Sequence, residues 1–141
     1  MTPLGLLIRP RDHWGEGSFN ASRDGGSRKH EGIDLVAWPR TPVVAWTHGL
    51  KFVRLAPPYE NDPRFSGVLF DIGNGRQVKI FYVATEPHLA PGLILSRGDA
   101  IGTVQDLNMR YAGITPHVHF ELWEGGVRID PTPYLRGGPL T

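Results

Sequence analysis

Cysteine is absent from the 141 residues, which excludes disulfide staples, thiolate zinc sites and cysteine nucleophiles. An excess of one charge is also missing: 15 lysines and arginines stand against 14 aspartates and glutamates, leaving a formal +1. With no basic stripe to follow a phosphate backbone, nucleic acid is not an expected partner. No apolar stretch approaches the roughly 18 residues of a membrane span, so no membrane partner is expected. Nor do apolar residues recur at helical spacing over three clean turns. What the chain does have is punctuation, with 18 glycines and 13 prolines along its length, and six histidines.

The punctuation divides the chain into short β-branched and aromatic runs, which reads as all-β. The clearest hairpin joins residues 67–72 to residues 77–82 through Asn74-Gly75, the preferred pair for a type I′ turn whose twist matches its strands. Residues 42–45, 50–55, 100–104, 118–123 and 127–129 are further strand candidates, the last two flanking a tight turn at Glu124-Gly125-Gly126. Residues 56–66, 85–98 and 105–115 form loops long enough to wall a groove. A chain of this length fits one domain with a sizeable core. The expectation is a single compact antiparallel β-sheet domain over residues 1–141, acting as a monomer.

Two histidine motifs carry the chemistry: His30-Glu31-Gly32-Ile33-Asp34, and His117-Val118-His119 within a strand candidate. Alternation along a strand puts His117 and His119 on one side and Val118, Phe120 and Leu122 on the other. Imidazole nitrogen and carboxylate oxygen are the usual zinc ligands outside thiolate sites, and a catalytic zinc takes three of them with a fourth position open. The ligand types therefore point to a zinc hydrolase. Glu121 shares the face of the two histidines and suits the orientation of a ligand imidazole. Arg23 and Arg28 suit a carboxylate, either that of Asp34 or that of a substrate. His13 and His48 belong to no constellation.

A family resemblance rests on ordered motifs: Ser27-Arg28 before His30, Gly32, Asp34 and Leu35; Thr41-Pro42-Val43-Val44-Ala45; Gly98-Asp99 with Ile101-Gly102; Pro116-His117 with His119-Phe120-Glu121-Leu122; and Asp130-Pro131-Thr132-Pro133-Tyr134-Leu135. Together they resemble the lysostaphin/LytM family of peptidoglycan zinc endopeptidases, from about Trp14 to Leu135. Within it, residues 15–23, Ala56-Pro57-Pro58-Tyr59, residues 78–82 and Arg110-Tyr111-Ala112-Gly113 look most like the branch containing the vertebrate leukocyte cell-derived chemotaxin. That branch keeps the metal site but is understood as a non-catalytic ligand. The family resemblance implies a zinc cofactor held by His30, Asp34 and His119, with His117 as general base, and bacterial peptidoglycan as the partner. Strand geometry allows this division, although two histidines so spaced can also share one metal.

The chain departs from the family where a second catalytic histidine is usual, because no histidine falls in register in residues 78–84. If Val78, Ile80 and Tyr82 are the inward positions, Tyr82 stands in that place and its phenol can donate to a developing oxyanion. His88, six residues on in a loop, is the second candidate. Two other classes are weighed: a non-catalytic zinc-stabilised binding protein, and a polysaccharide-cleaving enzyme, for which no pair of positioned carboxylates stands out. The opening residues have no basic residue before their short apolar run and are unlike a signal peptide. The expectation is synthesis in the cytoplasm and action on the cell wall in the periplasm, as for a bacteriophage endolysin released at host lysis or a virion-borne wall peptidase.

Overall fold

A computed structural model of the chain describes residues 7–12, 14–23 and 28–135. In chain order the strands are β1 (Ser22–Arg23), β2 (Arg28–Lys29), β3 (Ile33–Val36), β4 (Pro42–Val44), β5 (Leu50–Leu55), β6 (Gly67–Gly73), β7 (Arg76–Phe81), β8 (Val83–Thr85), β9 (Ile94–Leu95), β10 (Ala100–Val104), β11 (His117–Glu124) and β12 (Val127–Ile129). One helical turn, α1 (Thr132–Leu135), follows. The expected all-β class is observed, with every described pairing antiparallel. The strands form three sheets: seven strands in the order β12-β11-β7-β6-β5-β9 with β3 also on β11, three in the order β4-β10-β8, and the β1-β2 pair.

The central strand β11 follows the alternation read from its sequence. Val118, Phe120 and Leu122 are buried in one apolar cluster with Ile33, Leu35, Val78 and Ile80 of their neighbours, and with Val43, Ile101 and Val104 of the smaller sheet. Trp46 lies edge-on to Phe70 and Phe120 in that core, and its indole N–H donates to the Tyr134 hydroxyl at 2.6 Å. A slip of β11 by one residue would exchange three core side chains for His117, His119 and Glu121. At about 1.5–3 kcal/mol per buried side chain of this kind, the core face holds the register firmly.

The β6–β7 hairpin closes as its sequence requires. Gly73 pairs with Arg76, so the loop is Asn74-Gly75, and both residues take positive φ, 56° and 74°. That is the type I′ requirement. The expected long loop at residues 85–98 is corrected: Thr85 ends β8, β9 adds an edge strand to β5, and no residue of the segment lines the groove. The other two expected loops do reach it, through Pro58 and Tyr59 and through Arg110, Tyr111 and Ile114.

Gly32 lies against β11 just before β3 begins. A Cβ there would fall 2.3 Å from the Phe120 carbonyl oxygen and 3.1 Å from the His119 ring, so only glycine lets the chain enter β3 this close to β11. Gly32→Ala must push the strands apart. Its expected cost is about 1–3 kcal/mol, the range for overpacking a tight site, read as a lowered urea midpoint with an unchanged m-value. An unchanged midpoint would show that the approach is not tight.

Candidate metal centre

The β3–β11 ladder sets Asp34 directly opposite His119, and the β7–β11 ladder sets Phe81 opposite His119 on its other side. Phe81 stacks on the His119 ring, with centroids 5.4 Å apart and planes within 12°. His30, four residues before Asp34, turns its ring inward to the same point. His30 Nε2 is 3.1 Å from Asp34 Oδ1 and 3.1 Å from His119 Nδ1, and His119 Nδ1 is 2.9 Å from Asp34 Oδ1. Ligands about 2.0–2.1 Å from a tetrahedral zinc stand about 3.3 Å from one another. The two nitrogens and one oxygen thus meet at nearly the separation one shared ion requires, and these three residues are the group that could hold a metal among the described residues.

The far side of each ring settles where its lone pair points. His30 Nδ1 lies 3.0 Å from the Ser18 carbonyl, His119 Nε2 lies 2.9 Å from Glu121 Oε2, and His117 Nδ1 lies 2.8 Å from the Thr115 carbonyl. A carbonyl or carboxylate only accepts, so each of these nitrogens carries the proton and donates. The remaining nitrogen of each ring then faces the cluster. For His117 that nitrogen, Nε2, is 3.4 Å from Asp34 Oδ2, the oxygen turned away from the triangle. His117 is therefore brought beside the three candidate ligands without joining their triangle.

The cluster opens into a groove of about 850 Å³ whose walls include Trp14, Tyr59, Tyr82, Arg110 and Tyr111. Tyr82 lines it, its ring edge-on to His117 with centroids 5.6 Å apart. The route by which it arrives corrects the expected register. Val78 and Ile80 face the apolar core, while Phe81 takes the groove face. Tyr82 reaches the groove because its φ of 74° breaks the alternation between β7 and β8. His88 lies exposed and outside the groove, and His48 accepts a bond from the Arg97 N–H at an exposed site. His13 and the side chain of Arg28 lie outside the described residues.

The family described as Peptidase family M23 matches residues 28–131, from before His30 to beyond the His-x-His strand. This chain belongs to peptidase family M23. Leukocyte cell-derived chemotaxin-2 of Mus musculus is 35% identical over 128 residues, covering 91% of this chain and 79% of that protein. Among solved structures, lysostaphin superposes with a TM-score of 0.64 at 20% identity, over 92% of this chain and 53% of its own. A zinc-containing peptidase from Vibrio cholerae superposes with a TM-score of 0.62 at 17% identity, over 91% of this chain and 37% of its own. Both likenesses are of fold, and the M23 chain spans about half or less of the length of those two structures.

M23 peptidases are zinc-dependent, and the donor set here fits zinc. The charges around it fit as well. Burial alone would raise the Asp34 carboxyl, yet the surrounding imidazoles of His117, His119 and His30 outweigh it and hold the group well below the usual carboxylate range. Burial would lower His119, but Asp34 and Glu121 together raise it to about 9. Carboxylates that favour a proton on that ring favour a cation at the same place. For His117 burial wins over the attraction of Asp34, so the imidazole is pushed down and stays neutral at neutral pH.

Outer contacts brace the three candidate ligands of this M23 chain. Glu121, expected as an orienting carboxylate, also accepts the Trp123 indole N–H at 2.9 Å, and Lys79 and Arg128 lie over the Trp123 ring at 4.6 and 4.9 Å. Arg23 stands 4.0 Å from Asp34 Oδ2 and donates to the Glu16 carbonyl. The closer partner is Arg9, which sequence reading missed: it is 2% exposed and its Nε donates to Asp34 Oδ2 at 3.0 Å. No local signal marks an arginine 25 residues away as the brace of a ligand. His119→Ala should lower zinc content sharply, measured by metal analysis after dialysis, because two ligands remain of three. Glu121→Gln should keep the site but weaken zinc roughly 10- to 100-fold in a chelator competition, the usual cost of an outer-shell change. Full occupancy in His119→Ala would refute the ligand set.

Proposed function

We propose that this chain is a zinc endopeptidase that hydrolyses peptide bonds of bacterial peptidoglycan. The observation that carries the reading is His117, a neutral imidazole whose free Nε2 is aimed at the ligand cluster although the metal triangle is complete without it. A site that only held zinc for stability would have no use for it. The open groove beside the cluster offers an extended peptide a place to lie. The family resemblance supplies the substrate class, and a phage-type lysin released at host lysis is the setting in which we place it.

Zinc, when bound, supplies Lewis acidity that acidifies a water and polarises the scissile carbonyl. The chain's own groups do the rest. His117 takes a proton from the attacking water at Nε2 and returns it to the departing amine, while its Nδ1–H stays on the Thr115 carbonyl and keeps the ring in place. Burial pushes the Tyr82 hydroxyl above its ordinary pKa, so it stays protonated and serves as a donor. The role we assign it is a hydrogen bond to the oxyanion that grows on the carbonyl.

The second reading is a non-catalytic zinc-stabilised binding protein of the chemotaxin type. It is favoured by the tyrosine at the place of a second histidine and by the 35% identity with the mouse chemotaxin. Outer-membrane-stripped cells separate the two. A peptidase clears the suspension and releases fragments with new amino termini, and the clearing stops on chelation and returns with zinc. New reducing sugar ends, or no release from any peptidoglycan, would sink the proposal. His117→Ala is expected to keep its zinc and lose roughly 10²-fold or more in rate. Tyr82→Phe keeps the ring and its packing, so stability should hold while turnover falls roughly 10² to 10³. A wild-type rate in either variant removes the role assigned to that residue.

A further inference from the structure

Three tyrosine hydroxyls stand in a row on the groove wall, with an arginine at one end. The Tyr82 and Tyr59 hydroxyls are 2.7 Å apart, Tyr59 Oη bonds to Tyr111 Oη, and Arg110 Nε donates to Tyr111 Oη at 3.1 Å. The arginine is itself held. Asp62 Oδ2 accepts its Nη1–H at 2.9 Å, and the guanidinium lies over the Tyr59 ring, 3.9 Å from the centroid. Asp62 also grips Arg64 through both oxygens, at 2.8 and 2.9 Å.

Each phenol has one proton to give, and its oxygen can accept, whereas a guanidinium only donates. Tyr111 Oη therefore accepts from Arg110. The remaining protons can run from Tyr111 through Tyr59 to Tyr82, or the reverse. In the reverse direction Tyr59 would aim its proton at an oxygen already facing a cation. In the forward direction every oxygen turns toward the arginine and every proton away from it, and a charge-assisted bond at the head strengthens those behind it. The forward row spends the protons of Tyr111 and Tyr59 and leaves that of Tyr82 unspent at the groove.

The backbone under Tyr82 is held as firmly as its hydroxyl. A bulky residue at φ 74° is a genuine outlier, and such a conformation persists where the surroundings over-determine it. Here the Tyr82 N–H donates to the Ser66 carbonyl at 2.8 Å, and the Tyr82 carbonyl accepts from the Gln105 N–H at 2.9 Å. Gln105 closes the loop by accepting the Ser66 N–H at 2.9 Å.

We infer that Arg110, Tyr111 and Tyr59 form a one-way hydrogen-bond chain that presents the Tyr82 hydroxyl as a donor beside His117, making Arg110 a positioning residue for peptide hydrolysis. The inference rests on the peptidase reading. It makes the tyrosine row a replacement for a second histidine: a neutral donor, set by a cation two hydroxyls away.

The test uses the zinc-loaded full chain on cross-linked muropeptides prepared from sacculi. Arg110→Met is expected to lower kcat on the order of 10-fold, a part of the roughly 10² to 10³ for losing the donor itself, with KM and zinc content unchanged. Arg110→Lys, which restores a cationic donor, should recover part of the loss. The double variant Tyr82→Phe with Arg110→Met should be no slower than Tyr82→Phe alone. An unchanged kcat in Arg110→Met, or losses that multiply in the double variant, would overturn the inference. If the parent releases no peptide, the peptidase reading fails on its own account and the chain is judged by proton NMR. The Tyr59 hydroxyl resonance, identified by its loss in Tyr59→Phe, must vanish in Tyr82→Phe, which removes its acceptor, and persist, though shifted, in Tyr111→Phe. A Tyr59 resonance that persists in Tyr82→Phe and vanishes in Tyr111→Phe would mean that the row runs the other way.

Discussion

Asp34 and His119 face each other across the β3–β11 ladder, and the spacing of that cross-strand pair sets everything around it. Opposed residues on one face of antiparallel strands have their Cβ atoms about 4.5–5.5 Å apart, close enough for a short carboxylate and an imidazole to share an ion. The pair exists only in one register. The register is held from the other face, where Val118 and Phe120 pack against Leu35 and Ile33. The apolar side of β11 thus positions the polar side, and Gly32 lets the first ligand approach by keeping its backbone against β11.

Burying three imidazoles and two carboxylates side by side is costly unless each polar atom is paired. Among the described residues no buried side-chain nitrogen or oxygen lacks a partner. The pairing is directional as well as complete. The Ser18 and Thr115 carbonyls and the Glu121 carboxylate take the outward N–H of the three rings, and Arg9 takes the outward oxygen of Asp34. What remains facing inward is a set of lone pairs, which is what a cation needs.

The tyrosine wall gives the groove a second character. His117 and Tyr82 meet edge to face, one neutral base and one protonated phenol, and burial places both in those forms. A histidine in place of the tyrosine would add a fourth imidazole to the three already gathered around Asp34. A phenol kept neutral avoids that further ring and still donates. The same residues in a protein that only binds would make an apolar, hydrogen-bonded wall, so the two proposed readings differ in the work assigned to one hydroxyl and one ring nitrogen.

Much of this was legible from the sequence because it depends on neighbours in the chain. Alternation with period two placed His117, His119 and Glu121 on one face, Asn74-Gly75 dictated its turn, and the absence of cysteine left nitrogen and oxygen as the only zinc ligands. The ligand triad was read from a family pattern, and its three atoms do converge. Strict alternation failed at Tyr82, because positive φ at a tyrosine is imposed by the Ser66 and Gln105 backbone contacts and has no local signature. Arg9 was equally hidden, since Asp34, which it braces, lies 25 residues away, and so was the anchor of Arg110, since Asp62 lies 48 residues away in another loop. The sequence by itself determined that His117, His119 and Glu121 share a strand face and which residue types can bind metal. Only the tertiary structure decided which distant groups brace those ligands and where the tyrosine row points, because ladder register, loop closure and buried charge pairs are set by contacts between segments that no local period connects.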